Sequence, residues 1–357
     1  MFGRKVFISG ATGFIGGRIA ERLWLDCNIA SRCLVRNLSR AARLARIPVV
    51  MIQGDVLNRD ATEKAVRGCE TVFHCAFGNT DNEDLNALIT EEGTRNVGEL
   101  SLENGVSRFI YLSSVAVYGP RPPENVDEET PTQFSEDAYG NSKIRAEAIC
   151  EELAERGLPV TVIRPTVVFG PFSPIWTVGV IKRITAGGWE NIQGMDGLCN
   201  PVFIDDLTES LFLCVKEDQA VGETFIISGE RPILWKEYFD AYARTGNAPL
   251  PKTISTGRRM LLELLRRPAR RTTNILRKYA EPQLVDIYSS MNRLSPRLTH
   301  KIDRMFRGGI RDEEIDKFSQ KTEYSIAKAK RILGYSPRPF NEGMAITADW
   351  LRHHEYI

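Results

Sequence analysis

Short apolar runs alternate with amphipathic stretches along the N-terminal part of the chain. After the opening run KVFIS, strand-like runs recur at 32–35, 49–52, 71–75, 108–113 and 160–163. Apolar residues at helical spacing fill the intervals, for example at 60–67, 91–103 and 140–156. This alternation predicts an α/β fold in which a doubly wound parallel sheet carries helices on both faces. In such a sheet a ligand binds at the carboxyl ends of the strands.

The segment KVFISGATGFIGGRIAERL places glycines between the first strand and the first helix. Gly10 permits a tight turn, Gly13 lets backbone N–H groups approach a pyrophosphate, and Gly16 lets the helix pack close to the strand. The partial positive charge of the helix N-terminus favours phosphate at the same place. We therefore expect a dinucleotide to bind here. The expected contacts are Gly10, Thr12, Gly13, Phe14, Ile15 and Gly16.

The composition is that of an ordinary globular protein. The chain has 357 residues, a net charge of +1 and 42% hydrophobic residues, which fit a folded protein rather than a disordered one. The opening residues contain no charged leader before an apolar stretch, and no apolar run approaches the ~18 residues of a spanning helix. We expect a cytoplasmic protein, or one peripheral on the inner membrane surface.

The cysteines and histidines argue against metal chemistry. The seven cysteines show no CxxC spacing and lie mostly in apolar patterns, which indicates buried thiols in a reducing compartment. The four histidines support neither a zinc site nor a histidine base, and we interpret His74 as a core residue of its strand. No metal is expected.

The stretch YGNSK places Tyr139 and Lys143 four residues apart, on one face of a predicted helix. Such a pair is common by chance, so its meaning depends on the rest of the chain. Upstream, YLSSVAVYG places Ser113 and Ser114 at the end of the strand predicted at 108–113. All four side chains are therefore expected at the carboxyl edge of the sheet.

Together with the glycine turn, these residues resemble the extended form of the short-chain dehydrogenase/reductase superfamily. The resemblance also rests on GD at 54–55, HCA at 74–76 and RPTVVFGP at 164–171, and it covers about residues 5–250 and about 318–352. This group, the NAD-dependent epimerase/dehydratase family, contains nucleotide-sugar epimerases and hydroxysteroid-type dehydrogenases.

The resemblance implies an NAD(P)-binding Rossmann domain formed by 1–170, with 200–228 returning to it. It implies a smaller, mainly helical C-terminal substrate domain formed by 171–199 and 229–357. NADP is the favoured cofactor, with NAD as the other choice, because the second strand ends LVRN, with Arg36 and no acidic residue. An arginine there accommodates the 2′-phosphate of NADP, whereas an acidic residue binds the ribose hydroxyl of NAD.

The resemblance also assigns catalytic roles. Tyr139 would exchange a proton with the substrate oxygen, and Ser114 would hold that oxygen, with Ser113 as the competing candidate. A tyrosine with a pKa of about 10 is a poor base at neutral pH. We expect the Lys143 ammonium and the positive nicotinamide to lower that pKa, and Lys143 to reach the nicotinamide ribose. Thr90 stands where family members have an asparagine, which puts a proton relay through that side chain in doubt.

Further cofactor contacts follow from the same resemblance. Asp55 would contact the adenine with Val56 packed beside it, and the loop of Cys75, Ala76 and Phe77 would lie beneath the dinucleotide. The remaining expected contacts are Ser113, Tyr139, Lys143, Pro165 and Val167.

The residues around these motifs bear on the reaction. Dehydratases of this family carry an Asp-Glu pair directly after the catalytic serine or threonine, whereas this chain has Val115 and Ala116, which disfavours dehydration. Nucleotide-sugar members have an asparagine in place of Val167 and an arginine near the position of Cys199 and Asn200. The absence of both favours a hydroxysteroid-like or lipid-linked substrate over a soluble nucleotide sugar.

Residues 252–311 resemble an insertion relative to the family, with fifteen lysines and arginines against four acidic residues. Within it, 258–278 combines paired arginines with leucines, which predicts a basic amphipathic helix broken or kinked at Pro268. It could be a membrane-surface foot, a lid for an acidic substrate or a solvated cap over the pocket. No nucleic-acid partner is expected, because aromatic residues are not interleaved among the arginines.

The leading function is NAD(P)-dependent oxidoreduction at a secondary alcohol or ketone, on a sugar or a lipid-linked glycan. One alternative is an epimerase of nucleotide-linked or lipid-linked sugars that keeps its NAD(P) tightly bound. A function of another class is a dinucleotide-sensing binding module, against which the intact Ser114, Tyr139 and Lys143 argue. The partner would be a small-molecule or lipid-linked substrate, and the chain could form a homodimer.

Overall fold

A parallel sheet of seven strands occupies the N-terminal part of the chain. The structure, a computed structural model, describes residues 5–187, 189–192, 196–255 and 312–357. The strands of the sheet are β1 (Val6–Ser9), β2 (Arg32–Val35), β3 (Val50–Gln53), β4 (Thr71–His74), β5 (Arg108–Leu112), β6 (Val160–Pro165) and β7 (Thr224–Ile227). Their order across the sheet is β3, β2, β1, β4, β5, β6, β7. This is the doubly wound order that the alternating pattern predicts, with its switch point between β1 and β4.

Helices connect these strands and continue toward the C-terminus. In the described residues they are α1 (Phe14–Cys27), α2 (Arg59–Val66), α3 (Glu83–Glu103), α4 (Ala138–Glu155), α5 (Val180–Thr185), α6 (Ile204–Lys216), α7 (Trp235–Thr245), α8 (Asp312–Ser319), α9 (Ala327–Leu333) and α10 (Phe340–His353). Helix α3 begins earlier than the predicted 91–103. The reason is that Asn82 caps the Leu85 N–H, and acidic residues occupy the first turn, where the helix dipole favours them.

The core places α4 against the sheet. Every residue of β1 and β4 is buried, and the core cluster joins Val97 of α3 and Leu153 of α4 to Phe109 of β5. Helices α3 and α4 approach closely at Gly98, where a Cβ atom would lie 2.3 Å from Leu153 Cδ1. Helix α4, which carries Tyr139 and Lys143, is thus packed against both α3 and the sheet.

The chain divides into two compact units. Unit 1 comprises 1–173, 200–232 and 322–343, and unit 2 comprises 174–199, 233–321 and 344–357. The sequence places 322–343 in the substrate domain, whereas this segment packs within unit 1. There, Glu323–Tyr324 pairs in parallel with Asn125–Val126, and the Tyr335 hydroxyl donates to the Ser228 carbonyl oxygen at 2.8 Å.

Unit 2 has an aromatic core of its own. Trp235 of α7 stacks on Phe239 with ring centroids 5.5 Å apart, and Phe318 of α8 lies 4.6 Å from the Trp235 ring. Its short strand pairs are Leu198–Cys199 antiparallel to Ile233–Leu234, and Asn191–Ile192 parallel to Thr253–Ile254.

The basic insert predicted at 252–311 opens with a strand rather than a helix, because Thr253–Ile254 joins the second of these pairs. The rest of the insert, including 258–278, lies outside the described residues. Among the described residues, no helix combines the length and the apolar character needed to cross a membrane.

Candidate active site

The glycine turn after β1 packs tightly against the loop after β4. Gly10 has a φ of +70°, and a Cβ atom there would lie 2.8 Å from backbone atoms of Cys75 and Ala76. The Gly13 N–H donates to the Gly10 carbonyl oxygen at 2.9 Å, which closes the turn. A Cβ atom at Gly16 would lie 2.5 Å from the same oxygen. Packing therefore restricts positions 10 and 16 to glycine.

Helix α1 begins without a side-chain cap. Its N-cap residue is Gly13, and its first turn contains no acidic residue. Helices α2, α3 and α4, by contrast, are capped by Asn58, Asn82 and Asp137. Thr12 and Gly13 are exposed, and Phe14 and Ile15 are half-buried, so the turn is accessible. Uncapped N–H groups at an accessible helix N-terminus are suited to hold a pyrophosphate.

The loop of Cys75, Ala76 and Phe77 runs from the glycine turn toward Tyr139. Cys75 is buried, and burial raises the pKa of its thiol to about 12, which leaves it unreactive. Phe77 is exposed, and its ring meets the Tyr139 ring edge-on with centroids 5.8 Å apart. The loop thus connects the turn suited to the pyrophosphate with the candidate catalytic tyrosine.

The two serines after β5 have different partners. Ser113 is buried, and its hydroxyl donates to the carboxylate of Glu147 on α4. Ser114 is half-buried, its oxygen accepts the Ala116 N–H at 3.1 Å, and it lies close enough to the Tyr139 hydroxyl to lower the pKa of that group. Because the Ser113 hydroxyl is hydrogen-bonded to Glu147, Ser114 is the serine that could bind the same substrate oxygen as Tyr139. With its hydroxyl proton donated to Glu147 and its N–H donated to the Ile163 carbonyl oxygen, Ser113 could contact a cofactor only as an acceptor.

Tyr139 lies in the first turn of α4, where its N–H donates to the capping carboxylate of Asp137 at 3.1 Å. The residue is 39% exposed, but protein atoms surround its hydroxyl. Burial raises the pKa of Tyr139 to about 12, while the nearby Ser114 lowers it and Asp137 raises it. The sequence predicts a lowered pKa caused by Lys143 and the nicotinamide. The chain's own residues instead keep Tyr139 protonated at neutral pH.

The direction of Lys143 explains this difference. Lys143 is 2% exposed, and its ammonium donates to the Leu112 carbonyl oxygen at 2.7 Å and to the Tyr111 hydroxyl at 3.4 Å. It lies 6.0 Å from the centre of the Tyr139 ring, so it is directed toward β5 rather than toward the Tyr139 hydroxyl. Burial lowers the pKa of Lys143 to about 8, and nearby groups that include Glu147 raise it.

Sequence reasoning missed a buried ion pair behind the serines. Arg164 at the end of β6 binds both carboxylate oxygens of Glu147, at 3.0 and 2.6 Å, and donates to the Tyr118 hydroxyl at 2.8 Å. Burial lowers the pKa of Arg164, but the bonds to Glu147 raise it above its ordinary value. The signal was available, since Glu147 follows Lys143 by one helical turn and Arg164 opens the motif RPTVVFGP. This ion pair holds the carboxylate to which Ser113 donates.

Arg36 and Asp55 form an ion pair of 3.4 Å at the carboxyl ends of β2 and β3. The Arg36 side chain is 51% exposed, and Val56 beside Asp55 is buried. The nearby Arg43 is held by two bonds to Glu21, at 2.6 and 2.7 Å. Arg36 is therefore better placed than Arg43 to meet an incoming phosphate.

The last predicted contacts lie after β6. Pro165 is buried and Val167 is half-buried, and the Val167 N–H donates to the Asn200 carbonyl oxygen at 3.1 Å. The buried Asn200 side chain donates to the Thr322 carbonyl oxygen at 2.8 Å, and Cys199 is fully buried. Cys199 and Asn200 are the residues nearest to the position where nucleotide-sugar members have an arginine. Neither is therefore placed to bind a substrate diphosphate.

Ser114, Tyr139 and Lys143 thus meet at the carboxyl end of β5, and the loop of Phe77 links them to the glycine turn. A dinucleotide held by that turn would extend along the loop toward Tyr139. The hydroxyls of Ser114 and Tyr139 could then bind one oxygen of a second molecule, with a cation close behind. Such an arrangement is suited to proton exchange at a carbonyl or hydroxyl oxygen.

The sequence matches the model of the NAD dependent epimerase/dehydratase family over residues 6–227. It is 31% identical over 230 residues to an N-acetyl-alpha-D-glucosaminyl-diphospho-ditrans,octacis-undecaprenol 4-epimerase of Escherichia coli O157:H7. That alignment covers 62% of this chain and 66% of the relative, so the chain spans just under two thirds of that enzyme.

Two further similarities extend over nearly the whole chain. A 3-beta-hydroxysteroid dehydrogenase of Mycolicibacterium neoaurum is 25% identical over 361 residues, covering 93% of this chain and 87% of the relative. A solved UDP-glucuronic acid 4-epimerase from Bacillus cereus, in complex with NAD, has a TM-score of 0.71 at 16% identity and covers 98% of this chain and 96% of that one. The structural similarity shows a shared fold. The two relatives identified by sequence are named as an epimerase and a dehydrogenase, in agreement with the predicted class of enzyme.

Proposed function

Because the chain belongs to the NAD-dependent epimerase/dehydratase family, we propose that it transfers hydride between a nicotinamide dinucleotide and a secondary alcohol or ketone. The observation that carries this proposal is the grouping of Ser114, Tyr139 and Lys143 at the carboxyl end of β5, where the Lys143 ammonium lies 6.0 Å from the centre of the Tyr139 ring. The residues of the glycine turn fit the cofactor, since the turn is accessible and the N-terminus of α1 has no side-chain cap.

The dinucleotide, when bound, supplies or accepts the hydride. The glycine turn and the N-terminus of α1 would hold its pyrophosphate. Lys143 uses two of its N–H groups on Leu112 and Tyr111. The third has no acceptor in the described part of the chain and would donate to the nicotinamide ribose.

Tyr139 would donate its proton to the carbonyl oxygen during reduction and accept a proton from the alcohol during oxidation. A pKa of about 12 keeps Tyr139 protonated at neutral pH, which suits the donor role. Oxidation requires the phenolate, which a positive charge beside the ring favours. Ser114 would hold the same oxygen and keep it in line with Tyr139.

We favour NADP as the cofactor. The Arg36 side chain is half exposed and has one ion pair, with Asp55 at 3.4 Å, and the sequence LVRN contains no acidic residue to bind a ribose hydroxyl. Arg36 would exchange Asp55 for the 2′-phosphate, because a guanidinium binds phosphate through paired, charge-assisted hydrogen bonds.

The substrate we propose is a lipid-linked sugar or a hydroxysteroid-like molecule. Nucleotide-sugar members have an arginine near the position of Cys199 and Asn200. Both of these residues are buried here, so this position supplies no arginine to bind the diphosphate of a soluble nucleotide sugar. The Escherichia coli relative carries the name of a lipid-linked sugar 4-epimerase, which favours epimerisation as the second candidate. In an epimerase the hydride would return to the carbon from which it came, and the dinucleotide would stay bound.

Nicotinamide absorbance, followed in parallel with product, separates these candidates. A dehydrogenase or reductase exchanges its cofactor at each turnover, so absorbance should change in proportion to product when NADP(H) is added. An epimerase should form product without net absorbance change and should purify with stoichiometric dinucleotide. Binding of dinucleotide without turnover of any secondary alcohol, ketone or sugar would instead support a sensing module.

We also propose that 258–278 attaches the protein reversibly to anionic membranes, near a lipid-linked substrate. The support is its sequence, since each arginine near such a surface contributes about 1 kcal/mol. Co-sedimentation with anionic vesicles at low salt, lost at high salt, is the expected result. Unchanged pelleting after Arg266, Arg267, Arg270 and Arg271 are replaced together by Glu would reject this role.

A further inference from the structure

A buried tyrosine lies behind the candidate catalytic lysine. Tyr111 on β5 is fully buried, and its hydroxyl accepts a hydrogen bond from Lys143 Nζ at 3.4 Å. The ammonium also lies 4.9 Å from the centre of the Tyr111 ring. The proposed reaction gives Tyr111 no part, yet it is one of the two groups to which the ammonium donates.

A backbone carbonyl fixes the direction of the hydrogen bonds around His74. Thr94 on α3 donates its single hydroxyl proton to the Thr90 carbonyl oxygen at 2.6 Å. A carbonyl oxygen only accepts, so the Thr94 oxygen must accept every other bond it makes. His74 Nε2 lies 3.0 Å from that oxygen and therefore donates to it. The His74 ring held in this way stacks on the Tyr111 ring with centroids 5.7 Å apart, and the Tyr111 oxygen accepts from Lys143.

His74 is consequently held in one tautomer. Burial, with a smaller contribution from the Lys143 charge, lowers the pKa of His74 to about 3, so the ring is neutral. With the proton on Nε2, Nδ1 accepts the Ser9 hydroxyl at 2.6 Å. The Ser9 oxygen in turn accepts the Ala76 N–H at 3.3 Å. The network thus extends from Lys143 to the loop that links the glycine turn with Tyr139.

We infer that His74, Thr94 and Tyr111, here named the lysine anchor, position the Lys143 ammonium for the dinucleotide. The ligand in this inference rests on the proposed function. The anchor terminates at the Thr90 carbonyl, so it orients the ammonium rather than conducting a proton. The Thr90 hydroxyl is itself occupied, because it donates to the Asn86 carbonyl oxygen at 2.8 Å and accepts the Gly78 N–H at 3.0 Å.

The groups that face Lys143 come from three parts of unit 1. They are Tyr139, Glu147 and Cys150 on α4, His74 and Cys75 at the end of β4, and Tyr111 on β5. The substitution Tyr111→Phe removes one acceptor of the ammonium and leaves the ring and every formal charge in place. It therefore tests orientation by the anchor separately from the electrostatics of the other neighbours.

The experiment compares Tyr111→Phe with Tyr335→Phe. Tyr335 is a matched control, because it is buried and its hydroxyl donates to the Ser228 carbonyl oxygen at 2.8 Å. NMR titration of protein with 13C-labelled lysine gives the pKa of Lys143, and the Lys143→Met variant identifies its signal. Calorimetry gives the affinities for NADP and NAD.

We expect Tyr111→Phe to lower the pKa of Lys143 by about one, because the charged form loses a hydrogen bond. The same variant should bind dinucleotide about threefold to tenfold more weakly, since the ammonium is no longer oriented. Tyr335→Phe should change neither quantity. Equal changes in both variants, or none in Tyr111→Phe, would overturn the anchor. If the wild-type protein binds neither dinucleotide, the proposed function fails, and the pKa titration still decides the anchor.

Threonine variants cover the case in which Tyr111→Phe does not fold. Thr94→Val removes the oxygen to which His74 donates and so loosens the ring that stacks on Tyr111. It should also lower the pKa of Lys143, whereas Thr94→Ser should behave as the wild type. The control is Thr208→Val, which removes a buried hydroxyl that donates to the Ile204 carbonyl oxygen at 2.8 Å in α6. A pKa of Lys143 unchanged by Thr94→Val, or lowered equally by Thr208→Val, would contradict the inference.

Discussion

The two cations expected to hold the dinucleotide stand in opposite surroundings. Lys143, expected at the nicotinamide, is 2% exposed and donates to Leu112 and Tyr111. Arg36, expected at the adenosine, has a side chain that is 51% exposed and one ion pair of 3.4 Å with Asp55. Burial makes an ammonium depend on its hydrogen bonds, whereas water screens an exposed ion pair until it contributes little. Under the proposed function, packing would set the reacting end of the site, and the exposed charge of Arg36 would set the choice between NADP and NAD.

The largest loss of dinucleotide affinity is expected at the glycine turn, which would hold the pyrophosphate between the nicotinamide end and the adenosine end. Gly10→Ala places a Cβ atom 2.8 Å from backbone atoms of Cys75 and Ala76, so the turn or the loop must move. We expect dinucleotide affinity to fall by about a hundredfold or more, since each 1.4 kcal/mol of distortion is about tenfold. Calorimetric titration measures the loss.

Gly105→Ala is the matched control for this change. Gly105 has a similar φ of +66°, but no atom lies within 4 Å of a Cβ built there. The variant should bear only the left-handed backbone strain, about 1–2 kcal/mol of unfolding free energy, and should bind dinucleotide normally. An equal loss of binding in both variants would mean that lowered stability, rather than the turn, explains the result.

The next effect concerns the buried charge of Lys143. Its pKa is lowered from 10.5 to about 8, so below pH 8 the folded protein bears the cost of burying an ammonium. Between these values the unfolded chain binds more protons, and the free energy of unfolding of the wild type rises with pH. The amount by which the free energy of unfolding of Lys143→Met exceeds that of the wild type should therefore fall by about 3 kcal/mol between neutral pH and pH 10.5. Urea unfolding at both pH values measures it, and a constant difference between the proteins would contradict a lowered pKa.

The smallest change in cofactor affinity is expected for substitution of the exposed Arg36. Arg36→Asp removes the guanidinium and supplies a ribose acceptor, so NADP affinity should fall about tenfold while NAD affinity stays equal or improves. Arg40→Asp, the same charge change at an exposed neighbour, should alter both affinities alike. Equal losses of NADP and NAD in Arg36→Asp would show that Arg36 does not read the 2′ position.

The fold and the family were predictable because their signals are local in the sequence. Alternating strand and helix patterns predict the parallel sheet, and the order of strand, Gly10, Gly13, Gly16 and helix predicts the dinucleotide turn. Both the doubly wound fold and the epimerase/dehydratase family are confirmed. The start of α3 was predicted too late, because a cap at Asn82 outweighs the weak apolar periodicity of the first turns.

The details of the site depend on contacts between distant residues, which the pattern of one sequence does not reveal. Ser113 and Ser114 are equivalent by position, and only the carboxylate of Glu147 separates their roles. The pKa of Tyr139 follows from its burial and from the direction of Lys143, neither of which is encoded in their spacing. The same holds for the lysine anchor, whose members come from β4, α3 and β5.

The central claim is that Tyr139 exchanges the proton that accompanies hydride transfer. Tyr139→Phe keeps the ring that meets Phe77 and removes only the hydroxyl. We expect dinucleotide affinity to remain at the wild-type value and kcat to fall by at least about a hundredfold, the contribution of one positioned acid/base. Near-normal kcat at full dinucleotide occupancy would contradict the assignment of Tyr139.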